Sequence, residues 1–200
     1  MKRTNIEKLD QLMRKKGIIR ARELTALGIP RYCLSQLMKR GQIQRISRGV
    51  YAATEQVPTS QRTLAEVSKR IPEGIVCLLS ALRFHDLTTQ LPSQVWLAID
   101  RKAWYPKEKK LPIRIVRFSG RALTEGIEKH MIENVSVRMY SVAKTIADCF
   151  KYRHKIGLDV AIEALRDALR LRKCSVDEIW QYARICRIAN VMRPYLEATV

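Results

Sequence analysis

Four glycines, Gly17, Gly28, Gly41 and Gly49, cut the first 53 residues into pieces too short for a long helix or strand. Short helices are marginal alone in water, so a chain punctuated in this way folds only by packing its pieces on one another. The apolar spacing between the glycines supplies the pieces. Ile6, Leu9, Leu12 and Met13 recur at helical intervals and stop at Gly17. Ile18 and Ile19 predict a short extended piece, and Ala21, Leu24 and Leu27 share one face of a second helix that stops at Gly28. Pro30 suits the first turn of a third helix, in which Leu34, Leu37 and Met38 form an apolar stripe that ends before Gly41.

The opposite face of that third helix carries Arg31, Tyr32, Ser35, Gln36, Lys39 and Arg40. After it, "GQIQRISRGVYAA" places Ile43 and Ile46 before a turn at Ser47, Arg48 and Gly49, with Val50 and Tyr51 after it. Three short helices followed by a basic hairpin are the parts of a winged helix-turn-helix. A DNA major groove admits one helix, and side chains there distinguish all base pairs by their donors and acceptors. Arg31, Tyr32, Ser35, Gln36, Lys39 and Arg40 are therefore candidates for base edges or phosphates. Arg45, Ser47 and Arg48 are candidates for the backbone or the adjacent minor groove. A small helical protein-interaction domain with a solvated basic face fits the same pattern.

Charge favours a polyanionic partner. The chain has 38 Lys and Arg against 19 Asp and Glu, a net +19. Residues 1–53 hold 13 of the basic and 3 of the acidic groups, +10, which leaves +9 for the remaining 147 residues. Solubility alone needs only about 2 to 8 units of net charge in a small domain. A membrane surface is a weaker candidate, because the cations do not oppose a Trp, Phe and Leu face on one long helix. The longest apolar run, "GIVCLLSAL", is about half of the roughly 18 residues that a span requires. The basic N-terminus lacks the apolar segment of a signal peptide, so a cytoplasmic protein is expected.

Residues 54–60, within "ATEQVPTSQ", read as a linker between a domain over 1–53 and a second over 61–200. In the second, helices are expected at 63–70 and 76–85, strands in "SQVWLAID" and "IRIVRFSG", and a hairpin over Ile127–Ile132 and Val135–Tyr140 turning at Glu133 and Asn134. Ser141 can cap "VAKTIADCFKYRHK", Gly157 separates it from "LDVAIEALRDALRLR", and Ser175 with Glu178 has capping-box spacing before a further helix. "VMRPYLEAT" closes the chain as a last short helix. The expected fold class is thus α+β: a winged helix-turn-helix, then a mixed domain with strands early and helices late. Its loop "RKAWYPKEKKLP" gathers Lys102, Lys107, Lys109 and Lys110 with Trp104 and Tyr105, a candidate second basic surface. "KYRHK" puts Arg153, His154 and Lys155 at a helix end, where positive charge suits the dipole in any case.

Enzymatic readings find little support. Asp86, Asp100 and Lys102 formally match an Asp, then Asp-x-Lys nuclease pattern, but Asp86 falls at the end of a predicted helix. No phosphate loop, HExxH or GxSxG is present. Cys33, Cys77, Cys149, Cys174 and Cys186 are scattered and include no CxxC pair. No catalytic residue, metal or cofactor is expected.

"GIPRYCLSQLMKRGQIQRISRGVY" in the first part, and "VCLLSALRFHDLTTQLPSQVWLAIDRKA", "IRIVRFSG", "YSVAKTIADCFKYRHKIGLDVAIEALRDAL" and "VMRPYLEA" in the second, resemble the AbiEi family over nearly the whole chain. That family is the antitoxin component of type IV abortive-infection toxin-antitoxin systems. The resemblance implies a winged-helix domain that binds inverted repeats in its own promoter and represses the operon, joined to a C-terminal antitoxin domain. It implies a nucleotidyltransferase-like toxin as functional partner, neutralised without a stable protein complex. A module that sequesters the toxin directly, with incidental DNA binding, is the alternative.

Overall fold

The structure is a computed structural model that describes residues 4–54, 61–106 and 111–199. The chain is a mixed α+β protein with two compact units, residues 1–72 with 130–137 and residues 73–129 with 138–200.

The first unit begins with α1 (Asn5–Lys16). Thr4 caps it in a reciprocal box: the Glu7 amide donates to Thr4 Oγ1 at 3.3 Å and the Thr4 amide to Glu7 Oε2 at 3.0 Å. Then come β1 (Ile18–Arg20), α2 (Ala21–Ala26), α3 (Tyr32–Lys39), β2 (Ile43–Ser47), β3 (Val50–Ala53) and α4 (Arg62–Arg70). The three strands form an antiparallel sheet in the order β1-β3-β2. Leu9, Met13, Ile19, Leu24, Ile29, Cys33, Leu34, Leu37 and Ile43 make its core.

Two local expectations shift. α2 ends at Ala26 and Leu27 stands 53% exposed, because the chain turns back there and Ile29 takes the core position. The Ile29 amide donates to Leu24 O at 2.9 Å across that turn. Pro30 lies just outside α3 and contributes a carbonyl, which accepts from the Cys33 amide at 3.1 Å. The strip 54–60 expected as a linker lies, apart from Thr54, outside the described residues. α4, beyond that strip, contacts β1 within the first unit.

The later elements are β4 (Ile75–Val76), α5 (Leu78–Phe84), β5 (Val95–Asp100), β6 (Ile113–Phe118), α6 (Arg121–Thr124), β7 (Ile127–Ile132) and β8 (Val135–Tyr140). They continue with α7 (Val142–Lys151), α8 (Arg153–Ile156), α9 (Leu158–Arg170), α10 (Val176–Ile185) and α11 (Ala189–Glu197). Among the described residues a second sheet has the order β6-β5-β4-β8-β7. β5 and β6 pair in parallel from Val95↔Ile113 to Asp100↔Phe118, and a parallel pair needs a long connection, here residues 101–112. β7 and β8 join through Glu133 and Asn134 at φ +46° and +59°, the left-handed pair of a tight hairpin turn.

The helix expected over 76–85 is corrected: Val76 closes β4, opposite Leu97 and Met139, and the helix starts at Leu78. The β-branched pair Ile75–Val76 is too short to show a strand period, so its pairing partners decide its state. Ser141 caps α7 and Ser175 with Glu178 boxes α10. α7 is the centre of the second core, buried from Ala143 to Phe150 and packed against Leu82, Leu165 and Ile179 of neighbouring helices. No helix among the described residues is long and apolar enough to cross a membrane.

Candidate nucleic-acid interface

α3 presents two faces. Cys33, Leu34 and Leu37 are buried, while Arg31, Tyr32, Ser35, Gln36, Lys39 and Arg40 are all exposed. Helical periodicity separates the two sets, and packing against α1 and β2 fixes which one faces the core. The exposed face is about two turns long, the length of helix whose residues can reach base edges in one stretch of groove.

The hairpin places its cations through a bulge. Register runs Gln44↔Ala52 and Arg45↔Tyr51, then Ser47↔Val50, leaving Ile46 as the extra residue. With the alternation interrupted, Gln44 and Arg45 are both exposed. Arg45 Nε donates to Ser47 O at 3.2 Å, which lays its guanidinium along the end of β2. Arg48 is exposed at the turn, beside Gly49 at φ +75°. The Ala21 amide donates to Gly49 O at 2.8 Å, fastening the turn to the start of α2.

These elements enclose an open cleft of about 520 Å³ lined by Arg20, Arg22, Arg31, Ser35, Arg48 and Tyr51 among others. It brings Arg31 and Ser35 of the third helix together with Arg48 of the turn. Tyr32, Gln36, Lys39, Arg40 and Arg45 lie outside the cleft wall. Ser47 differs from the rest: its Oγ is enclosed and has no hydrogen-bond partner among the described residues. Arg20 and Arg22 are additions that the sequence reading passed over. Their signal was the "RAR" run, in which the apolar spacing drew attention to Ala21 instead. Arg20 is partly committed, since its Nη2 donates to Arg70 O at 3.1 Å.

Charge in this unit is sorted by position. Residues 24–53 contain Arg31, Lys39, Arg40, Arg45 and Arg48 and no Asp or Glu. The three acids of residues 1–53 all sit earlier and are engaged. Glu7 caps α1, Asp10 pairs with Arg14 at 3.0 Å, and Glu23 receives Lys69 at 2.7 Å and Lys16 at 3.4 Å. Burial pushes the Glu23 carboxyl up, but Lys69, the Arg20 amide and Lys16 together hold it below the ordinary carboxylate range. No carboxylate among the described residues forms an ion pair with Arg31, Lys39, Arg40, Arg45 or Arg48. Such a face is free to neutralise phosphates.

The second basic surface is only partly in view. Lys102 is exposed after β5, its amide bonded to Asp100 Oδ1 at 2.7 Å; Lys107, Lys109 and Lys110 lie outside the described residues. Arg117 Nη1 fixes this bend by donating to Asp100 O, Arg101 O and Ala103 O. Trp104, 95% exposed, and Tyr105, 57%, follow it. At "KYRHK", Arg153 Nη1 donates to Phe150 O at 3.0 Å, closing α7, as a helix-end cation does. Asp86 sits in the left-handed turn after α5 and Asp100 is occupied by the Lys102 amide. Among the described residues no three His, Cys, Asp or Glu side chains gather as metal ligands do, and all five cysteines are free thiols.

Residues 7–54, which run from α1 through β3, match the family model described as "Transcriptional regulator, AbiEi antitoxin". The chain is also similar in fold to a crystal structure of the RV2827C protein from Mycobacterium tuberculosis. The two share 12% identity and a TM-score of 0.60, over 97% of this chain and 78% of that one. No curated protein matches the chain.

Proposed function

We propose that the chain is a DNA-binding transcriptional autorepressor and antitoxin. In this reading residues 1–53 are a winged helix-turn-helix, residues 54–60 a linker and residues 61–200 an antitoxin domain. The partner of the first part is double-stranded DNA with inverted repeats upstream of the chain's own gene. The partner of the second is a nucleotidyltransferase-like toxin, counteracted in the cytoplasm without a catalytic step by this chain. The observation that carries the reading is the acid-free stretch 24–53, whose exposed cations sit on one helix and on the turn beside it. The family match over residues 7–54 supports it independently of charge.

In this account α3 lies in the major groove, where Gln36 and Arg31 address base edges, Gln to adenine and Arg to guanine. Arg45, Arg48 and Lys39 neutralise phosphates and set affinity more than sequence choice. A reporter fused to the region upstream of the gene tests it. Expression falls when the chain is supplied and recovers with the R45A/R48A variant; a reporter indifferent to the wild-type chain overturns the repressor reading. Coexpression with the neighbouring toxin candidate tests the other half: growth arrest is relieved with no stable complex recovered. A stoichiometric complex would favour direct sequestration instead.

A further inference from the structure

A second concentration of charge lies in the other unit, where α6, α7 and α10 meet. Two cavities of about 450 and 470 Å³ have Arg121, Arg184 and Ile185 in both linings and so adjoin as two lobes of a hollow. Lys151 and Arg187 complete the lining of the larger one, and no carboxylate lines it. Lys151, Arg184 and Arg187 are exposed and form no ion pair among the described residues, whereas Arg121 shares its charge with Glu125. Four cations converging on one hollow repel each other, and a bound anion relieves that repulsion.

The hollow is not uniform. Its backbone wall includes Gly120, at φ +55° and ψ −143°, a conformation reserved for glycine, and a Cβ there would meet nothing within 4 Å. The wall is thus bare main chain beside the cations. In the smaller cavity stand Trp180, Gln181 and Asp177. Trp180 is half-buried against the core; the part of its indole that lines the cavity, with the Gln181 amide and the Asp177 carboxylate, suits an unpaired base: contact with the ring and hydrogen bonds to its edge.

We propose that this hollow binds single-stranded nucleic acid, with a phosphate among Lys151, Arg184 and Arg187 and a base against Trp180. A duplex keeps its bases stacked and offers nothing to the indole. A free nucleotide is held by burying most of its surface, while these cations are exposed and gathered in one cavity with Trp180 in the adjoining one, an arrangement that follows a strand. The site uses none of the residues assigned to duplex DNA, so either assignment can fail alone.

The test is fluorescence anisotropy of the full chain with a labelled single-stranded oligouridylate, set beside a duplex from the upstream region. R184E/R187E weakens strand binding about tenfold and flattens its salt dependence by about 0.7 per lost phosphate contact, leaving duplex affinity within about twofold of wild type. K151E, on a different helix, repeats the loss; W180A weakens the strand by about fivefold to tenfold and W180F restores it. R45A/R48A shows the converse pattern, losing duplex only. Wild-type strand binding by both R184E/R187E and K151E overturns the proposal. So does equal loss of strand and duplex, which marks bulk charge alone, and so does displacement by uridine monophosphate at concentrations no higher than the strand requires.

Discussion

At the residue scale, Gly49 and Ser47 separate two meanings of a residue in the turn. Gly49 has φ +75° with open space where a Cβ would stand, so the need for glycine is conformational and not steric. G49A should cost about 1 kcal/mol in denaturant unfolding, the strain of an L-residue in the left-handed region, and weaken duplex binding by moving Arg48. Ser47 is a candidate DNA contact from the sequence, yet its hydroxyl is enclosed and has no hydrogen-bond partner among the described residues. S47A should leave duplex affinity unchanged and alter stability by no more than about 1 kcal/mol, in the favourable direction, since it removes an unsatisfied buried group. Composition shows that a serine can donate; that this one is enclosed, next to the bulge at Ile46, emerges only in the fold.

At the element scale, the helices with glycine stops and caps were legible: α1, the β7–β8 turn and the Ser175 box fall where the spacing puts them. Two-residue and four-residue elements were not, since β4, α6 and α8 are too short for a hydrophobic pattern to repeat within them. The least legible feature is in α7. Lys144 and Asp148 have the i, i+4 spacing of an ordinary surface ion pair, yet both are fully buried with Nζ to Oδ2 at 2.5 Å. Lys144 also sits over the Tyr140 ring at 4.0 Å, and Cys186 Sγ donates to Asp148 Oδ1 at 3.3 Å. Burial pushes the Asp148 carboxyl up despite Lys144, so its ionised form depends on that lysine.

K144M should therefore cost about 3–5 kcal/mol at neutral pH by stranding a buried carboxylate. That loss shrinks as pH falls and Asp148 takes up a proton. The K144M/D148L double variant should be more stable than K144M alone, as urea unfolding will show. In the first unit the sign is opposite. The Glu23 carboxyl is held below its ordinary value, so its contribution is present above about pH 4.5 and is lost as pH falls through the depressed value. E23Q should flatten acid unfolding in that window.

At the scale of the whole molecule, charge was the most readable property and its arrangement the least. A net +19 favours a polyanionic partner. It does not say that the acids of residues 1–53 all lie in α1 and α2, leaving residues 24–53 with cations alone. Nor does it separate that face from the hollow beside Trp180, because Lys151 and Arg184 lie far apart in sequence and are gathered only by the packing of α7 on α10.

The proposed function requires that α3 and the hairpin engage duplex DNA. The direct measurement is the affinity of the full chain for its own upstream duplex across a salt series, wild type beside R45A/R48A. The expected result is a steep decline of log affinity with log salt, reduced by about 1.8 in the variant, because each phosphate contact contributes about 0.9. Affinity and slope that are the same in both proteins would contradict it.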